Sequence, residues 1–282
     1  DHRRDRHGLL VVRQVAAVVA VVGVEDAHAL ARGARLKTER ARFELWARRL
    51  DARLRRAGGR LDLQAPHGAH FYELPDVEIH PYGGKAGTLT IRLGEHVQLG
   101  RRQILDVWAA ADNTLHLGDR VTFRAGTRIQ LRGGTVRIGS DSTIRDYCLL
   151  DAMHGGEIAL GERVQFGAQV ALHALERVQM GDDSAAGERV SIFDSDHRHD
   201  GSHVTNYEQP VAIAPVIIGM NTFLGANSLL LRGVRIGHNA MLGGSSLVRG
   251  GDYRGGFLYA GSPAREIRPL APDLGARPAQ RS

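Results

Sequence analysis

A six-residue hydrophobic period runs through residues 216–248 and organises the rest of the chain. Each hexad starts with an aliphatic residue, usually followed by glycine, and has a small or compact residue four positions later. Those aliphatic positions are Ile218, Leu224, Leu230, Ile236 and Leu242. A period of six matches neither an amphipathic helix nor a simple strand, but it matches a short extended segment plus a turn. The pattern predicts a triangular, mainly β coil of 18 residues whose aliphatic side chains point inward and stack.

Less regular hexads begin at about Leu89. Aliphatic-glycine doublets recur there every 20 to 24 residues, so each coil carries a few extra residues at one corner. The doublets are Leu93-Gly94, Leu117-Gly118, Ile138-Gly139, Leu160-Gly161 and Met180-Gly181. Glycine in the doublet is interpreted as letting the chain bend without a Cβ penalty. Between Met180 and Ile218 one coil ejects a loop of about twenty residues, 196–215, and a loop of that length usually serves function.

A helix is predicted before the hexads, over Lys37–Arg56. Phe43, Trp46, Leu50 and Leu54 recur at helical spacing, and Gly58-Gly59 follows. We expect this helix to cover the open first coil, because an uncovered solenoid end exposes apolar side chains and strand edges. The predicted organisation is an extension over 1–36, a cap over 37–88, a β-helix over 89–250 and a tail over 251–282.

Composition fits this interpretation. Aromatic residues make up only 5% of the chain and glycine occurs 35 times, as a narrow coil with many bends requires. The single cysteine, Cys148, excludes an intrachain disulfide and falls at an inward position of its hexad, which favours a core residue over a nucleophile.

The N-terminal segment is basic. Residues 1–60 carry 15 Lys and Arg against 7 Asp and Glu, a balance that suits acidic lipid headgroups, nucleic acid or a solvated helix face. No basic stripe interleaved with aromatic residues is present, which favours the solvated face and no nucleic-acid partner. The apolar run Val15–Val24 is too short to span a bilayer. It resembles a signal peptide, but Glu25 and Asp26 interrupt that pattern, so a cytoplasmic protein without stable membrane insertion is expected.

A family resemblance covers about residues 89–270. The hexads, Asp196-His197 at the base of the loop, the FLGANSLLLRGVRIG stretch and the closing AGSPAREIR together resemble the hexapeptide-repeat acyltransferases. The nearest likeness is to the maltose and galactoside O-acetyltransferase branch and its polysaccharide-modifying relatives. The resemblance implies a left-handed parallel β-helix, a homotrimer with active sites between subunits, and acyl transfer from acetyl-CoA.

The same resemblance implies that His197 is the catalytic base. An alcohol is a poor nucleophile toward a thioester unless its proton is removed during attack, and a histidine near neutral pKa suits that task. A backbone N–H from an adjacent coil is expected to stabilise the oxyanion. Asp194 or Asp196 is expected to orient the imidazole, with a backbone carbonyl as the alternative. His199 and His203 are interpreted as loop surface.

Other positions matching the family pattern are candidate ligand contacts. The coenzyme contacts implied are Ala226 and Gly244, which allow close backbone approach, and the basic residues Arg249, Arg265 and Arg268. Phe223 stands where sugar-acetylating relatives usually carry tryptophan. Their sugar-binding asparagine and aspartate are missing, and Gln169 and His173 are possible substitutes, so the acceptor is a sugar or glycan hydroxyl, another alcohol, or an amine.

Three alternatives stay open from the sequence. The chain could be a non-catalytic β-helix trimer scaffold or an N-acetyltransferase acting on an amino sugar. The cluster of His197, His199, Asp200 and His203 could suggest a metal, as in the γ-class carbonic anhydrases with the same coil. Their paired histidines are absent here, since the later coils offer only His238, and no metal is expected.

Overall fold

The computed structural model describes residues 24–66, 69–81 and 86–270, and within these the side chains from residue 40 onward. The chain divides into two compact units, residues 1–48 and 49–282, and one helix, α1 (Val24–Arg56), crosses the boundary. The apolar run ending at Val24 and the tail after residue 270 lie almost wholly outside the described residues. Within the described part, no helix has both the length and the apolarity needed to span a membrane.

Three parallel sheets wind around one axis as the faces of a triangular β-helix. Sheet A contains β1 (Arg60–Gln64), β4 (Thr88–Leu93), β7 (Asn113–Leu117), β10 (Thr135–Ile138), β13 (Glu157–Leu160), β16 (Arg177–Met180), β21 (Val216–Ile218), β24 (Val234–Ile236) and β27 (Gly251–Tyr253). Sheet B contains β2 (His70–Phe71), β5 (Gln98–Leu99), β8 (Thr122–Phe123), β11 (Thr143–Ile144), β14 (Gln165–Phe166), β17 (Ala185–Ala186), β22 (Phe223–Leu224), β25 (Met241–Leu242), β28 (Phe257–Gly261) and the antiparallel β29 (Ala264–Pro269). Sheet C contains β3 (Asp76–His80), β6 (Ile104–Trp108), β9 (Arg128–Arg132), β12 (Leu149–Met153), β15 (Ala171–Ala174), β18 (Ser191–Phe193), β23 (Leu229–Leu230) and β26 (Leu247–Val248).

Stacked aliphatic side chains fill the interior, as the hexads predict. In sheet A the register aligns Ile138, Leu160, Met180 and Ile218 in one column, and all four are buried. Equivalent columns line the other two faces. Each coil therefore buries its apolar residues only against the coils above and below, the arrangement that stabilises a solenoid.

The glycine of each doublet has a different role from the one expected from the sequence. None of these glycines adopts a positive φ; in the fourth coil, a Cβ at Gly139 would lie 2.5 Å from the backbone of Gly161 in the next coil. The left-handed conformation falls two residues later, on non-glycine residues such as Asp141 and Arg163. Glycine is needed because consecutive coils approach closely at this corner, and the bend itself is made by its neighbours.

The element boundaries also differ from the sequence-based ones. Helix α1 begins at Val24 rather than Lys37, and parallel pairing begins at Arg60 rather than about Leu89, since β1 pairs with β4. The first coil lacks aliphatic-glycine doublets, so the hexad pattern did not mark it. Leu50 and Leu54 are buried, and Arg53 donates a 2.7 Å hydrogen bond to the Val77 carbonyl of β3, so the last turns of α1 lie against that coil.

Candidate functional site

The chain turns at three edges of the prism, here named A/B, B/C and C/A after the sheets they join. The loop predicted over 196–215 leaves at the C/A edge, between β18 and β21. Its two ends pair as an antiparallel hairpin of β19 (Ser195–His197) and β20 (Val211–Ile213). The hairpin therefore projects from the prism on a short two-stranded stem.

Asp194 lies just before the hairpin and is fully buried. Its two carboxylate oxygens accept hydrogen bonds of 2.7 to 3.0 Å from the backbone N–H groups of Leu175, Glu176 and Arg177 in the preceding coil. Both oxygens are thus occupied by the backbone. The expectation that Asp194 orients the catalytic imidazole is corrected: its carboxylate fixes the edge from which the hairpin leaves.

His197 is the last residue of β19 and is exposed. Its backbone pairs with Val211, and its imidazole has no hydrogen-bond partner among the described residues. Asp196 does not orient the imidazole of His197 either, because its carboxylate accepts a 2.8 Å hydrogen bond from Nε of Arg232. The structure therefore presents the imidazole to solvent at the C/A edge, with neither aspartate holding it.

The predicted coenzyme residues divide between two edges and the C-terminal strand. Ala226 and Gly244 stack at the B/C edge, where a Cβ on Gly244 would lie 3.1 Å from the Ala226 carbonyl oxygen. Arg249 follows β26 at the C/A edge, next to the β27 start. Arg265 in β29 lines a cavity of about 640 Å³, while Arg268 is exposed and donates to the Pro269 carbonyl at 3.1 Å.

The predicted acceptor residues also lie apart within one chain. Gln169 is exposed at the B/C edge with φ of 62°, and Phe223 is 44% exposed on sheet B, beside Met241 in a cavity of about 630 Å³. His173 lies near the end of β15 on sheet C. These three side chains do not converge on one pocket of a single chain.

Sequence reasoning missed the partner of His173. Asp151, one coil earlier and only 1% exposed, places Oδ2 3.1 Å from Nδ1 of His173. The His173 ring in turn packs against Phe193, with 5.1 Å between ring centroids. The signal was present in the register, because β12, β15 and β18 align Asp151, His173 and Phe193 once the coil length is known.

The histidines of the hairpin do not converge as metal ligands in the described part of the chain. One group there has metal-ligand spacing: Glu78, His80 and Asp106 on β3 and β6, which lie five and four coils from the hairpin. A guanidinium group already lies in it, since Nη2 of Arg128 is 2.9 Å from Asp106 and also contacts Glu78. That positive charge competes with any cation.

Cys148 is a core residue. It is 1% exposed, its Sγ lies 3.3 Å from the Gly167 carbonyl oxygen, and burial raises the pKa of the thiol to about 11. A thiol protonated at neutral pH and shielded from solvent does not act as a nucleophile.

The known proteins that this chain resembles are described as acyltransferases. A family model described as the hexapeptide repeat of succinyl-transferase matches residues 215–249. A probable acetyltransferase from Mycobacterium tuberculosis is 30% identical over 152 residues, which are 53% of this chain and 47% of that protein. A putative lipopolysaccharide biosynthesis O-acetyl transferase from Escherichia coli is 29% identical over 142 residues, 48% of this chain and 72% of that protein. The chain thus spans about half the length of the first of these relatives.

A solved structure shares the fold. The crystal structure of the polySia specific acetyltransferase NeuO matches with a TM-score of 0.53 and 20% sequence identity, over 73% of this chain and 91% of that one. The shared fold is a left-handed parallel β-helix, in agreement with the sequence-based expectation.

Proposed function

Because this chain belongs to the hexapeptide-repeat acyltransferase family of left-handed β-helix proteins, we propose that it transfers an acetyl group from coenzyme A to a hydroxyl of a sugar or glycan. The observation that carries the proposal is the position of His197. Its imidazole ends a hairpin strand, is exposed, and has no side-chain hydrogen bond within the described residues. A free imidazole on a two-stranded stem suits a general base that must receive a proton from an incoming hydroxyl.

The chemistry assigns one task to each group. His197 removes the hydroxyl proton while the oxygen attacks the thioester carbonyl, and the same imidazolium then returns the proton to the coenzyme thiolate. With both aspartates engaged elsewhere, solvent or a backbone carbonyl is left to fix the tautomer of the ring. General-base assistance of this kind contributes about 10²–10⁴ in rate.

The acyl donor is placed at the B/C edge in this proposal. Ala226 and Gly244 supply two stacked positions with little side chain, so an extended pantetheine-like arm can approach the backbone closely. Arg265, beside its cavity, is the residue that we assign to the phosphates, because a guanidinium group donates two hydrogen bonds to one phosphate.

The distribution of these residues supports the proposed homotrimer. His197 lies at the C/A edge, whereas Ala226 and Gly244 lie at the B/C edge of the same prism. One groove can contain both only if it is formed by different edges of two copies. We therefore propose that each active site lies between neighbouring subunits.

Thiol release from acetyl-CoA, measured with a panel of neutral sugars, amino sugars and glycans, tests the proposal. His197→Ala is expected to lower kcat by about 10²–10⁴ while leaving the KM for acetyl-CoA within a small factor of the parent value. His203→Ala, an exposed histidine in the same hairpin, is the matched control and is expected to keep parental turnover.

Two results would contradict the proposal. Parental turnover in His197→Ala would remove the base, and absence of thiol release with every acceptor would leave a scaffold without catalysis. A product acylated on the amine of an amino sugar would keep the transferase and change the acceptor atom.

A further inference from the structure

A second imidazole lies close to the hairpin, on the outer face of sheet C. Leu172 and Ala174 of β15 point into the coil, so His173 between them points outward. Its backbone carbonyl accepts a 3.3 Å hydrogen bond from the N–H of Asp194, the residue just before the hairpin. His197 is three residues farther along, and three extended residues span at most about 11 Å. The two imidazoles therefore belong to one region of the surface, and the proposed transfer uses only one of them.

A buried carboxylate holds one nitrogen of the His173 ring. Oδ2 of Asp151 lies 3.1 Å from Nδ1, and Asp151 is 1% exposed. A carboxylate accepts hydrogen bonds and does not donate them, so the neutral ring carries its proton on Nδ1 at this contact. The Phe193 ring packs against the imidazole with 31° between the two planes, which restricts its rotation. The lone pair of the neutral ring is therefore on Nε2, and the ring has a defined orientation.

Nε2 of His173 is open to a ligand. The side chain is 32% exposed, and Nε2 is solvent-accessible and has no hydrogen-bond partner among the described residues. A ligand on the outer face of sheet C thus reaches this atom without contacting the buried carboxylate. An imidazole held by a carboxylate on one nitrogen and free on the other is the arrangement that enzymes use where a ring must accept a proton or a hydrogen bond from a substrate.

The charges around the ring indicate an uncharged donor. The negative charge of Asp151 disfavours an anion beside His173, and Nη1 of Arg132, 3.9 Å from the same carboxylate oxygen, offsets the attraction for a cation. A lone pair on Nε2 requires a group that donates a hydrogen bond. A hydroxyl group is such a donor and carries no charge.

We propose that His173 binds the acyl acceptor: its Nε2 accepts a hydrogen bond from a hydroxyl other than the one that is acylated, and Asp151 is the residue that positions the ring. The inference rests on the proposed transfer and deepens it. One molecule must offer a hydroxyl to His197 and another to His173, so the acceptor is a polyol such as a sugar ring. His173 then helps to determine which hydroxyl is acylated.

Two amide replacements separate acceptor binding from a purely structural role. Asparagine at 173 keeps an amide where Nδ1 contacts Asp151 but has no atom in the place of Nε2, whereas glutamine reaches the place of Nε2. If His173 binds the acceptor, His173→Asn should lower kcat/KM for the acceptor about 5- to 100-fold, and His173→Gln should lower it less. The KM for acetyl-CoA should stay at the parent value in both. A structural histidine predicts the reverse order, because asparagine keeps the contact with Asp151.

The matched control is His116→Asn. His116 is an exposed histidine that points outward from β7 on sheet A. This variant is expected to keep the parent kcat/KM for the acceptor. Melting temperatures of the three variants, measured alongside, show whether a loss of activity accompanies a loss of stability.

Deoxy acceptors identify the hydroxyl. The probes are the methyl glycoside of the hexose that gives the most thiol release with the parent, and the monodeoxy forms of that glycoside. In the parent, removal of one hydroxyl other than the acylated one should lower kcat/KM about 5- to 100-fold, and His173→Phe should be insensitive to that removal. Phenylalanine keeps an aromatic ring against Phe193 but has no acceptor atom. Asp151→Asn should reduce the same discrimination, whereas a general structural defect would lower turnover of every acceptor equally.

Three outcomes decide the matter. Parental kcat/KM for the acceptor in His173→Asn, or equal sensitivity of the parent and His173→Phe to every monodeoxy acceptor, would overturn the role of His173 and leave the transferase standing. Acylation of simple alcohols or amines but of no sugar would do the same. Absence of thiol release with every acceptor would remove the transferase, and this inference with it.

Discussion

Asp194 can act structurally, by holding the backbone of residues 175–177, or catalytically, by orienting the His197 imidazole. The Asp194→Asn variant distinguishes these two roles. The carboxylate accepts four hydrogen bonds from three consecutive backbone N–H groups, three of them through Oδ2. In the variant an amide oxygen can keep the Oδ2 position, but an NH₂ group then faces the N–H of Leu175, and the charge is lost. Hydrogen bonds to a charged group contribute about 1.5–3 kcal/mol each, so losing one and weakening the other three should destabilise this edge by about 2–4 kcal/mol.

Hydrogen exchange measures this loss where it occurs. A solenoid opens locally, so a global unfolding curve does not isolate one edge. Mass spectrometry of the peptide containing Leu175, Glu176 and Arg177 should show protection factors lowered roughly 30- to 1000-fold, the equivalent of 2–4 kcal/mol. Asp196→Asn, which removes only an exposed ion pair with Arg232, is the control and should change protection there by less than about 1 kcal/mol equivalent.

Activity decides between the two roles. If Asp194 is structural, turnover of the Asn variant at low temperature should be proportional to the fraction of molecules in which the edge at residues 175–177 is folded. The pH dependence of kcat should match that of the parent. Unchanged protection at 175–177, combined with a loss of kcat and a displaced pH profile, would refute the reasoning and return Asp194 to the imidazole.

Two further predictions concern the coil itself. Gly139→Ala should destabilise the protein by about 1–3 kcal/mol, because the new Cβ would lie 2.5 Å from the backbone of Gly161; an unchanged melting temperature would contradict the close-approach explanation. The Cys148 thiol should not react with a thiol reagent until the protein unfolds. Burial raises the pKa of the folded Cys148 thiol to about 11. The thiol therefore contributes stability, on the order of 2–3 kcal/mol, that is complete below its ordinary pKa and is lost as pH rises toward 11. Cys148→Ala should remove this loss of stability at alkaline pH.

The hexad pattern was sufficient to predict the interior of the coil. Inward aliphatic residues such as Ile138 and Leu160 align in register as expected, and the loop leaves where the spacing between doublets doubles. This succeeds because a solenoid repeats one local environment, so each residue's neighbours are the equivalent residues of adjacent coils. The first coil, starting at Arg60, was missed because its contacts are the same but its sequence lacks the doublets.

The hexad pattern predicted less of the candidate functional site than of the coil. The position of His197 at the start of the loop predicted that it lies at an edge of the coil. The partners of Asp194 and Asp196 were not predictable, because they depend on which backbone groups and which arginine lie across the turn. The glycine doublets were assigned to the right corner for the wrong physical reason. Close approach between coils is a distance across the fold, which no local pattern contains.

The sequence by itself determined the period, and with it the three-sided coil, the buried columns and the point from which the hairpin projects. Only the tertiary structure decided which polar groups meet: Asp194 with the backbone, Asp151 with His173, and Asp196 with Arg232. The physical reason is range. Apolar periodicity acts between equivalent positions one coil apart, whereas a hydrogen bond at a turn depends on ångström-level positions of side chains about twenty residues apart, which are fixed only when the coils are stacked.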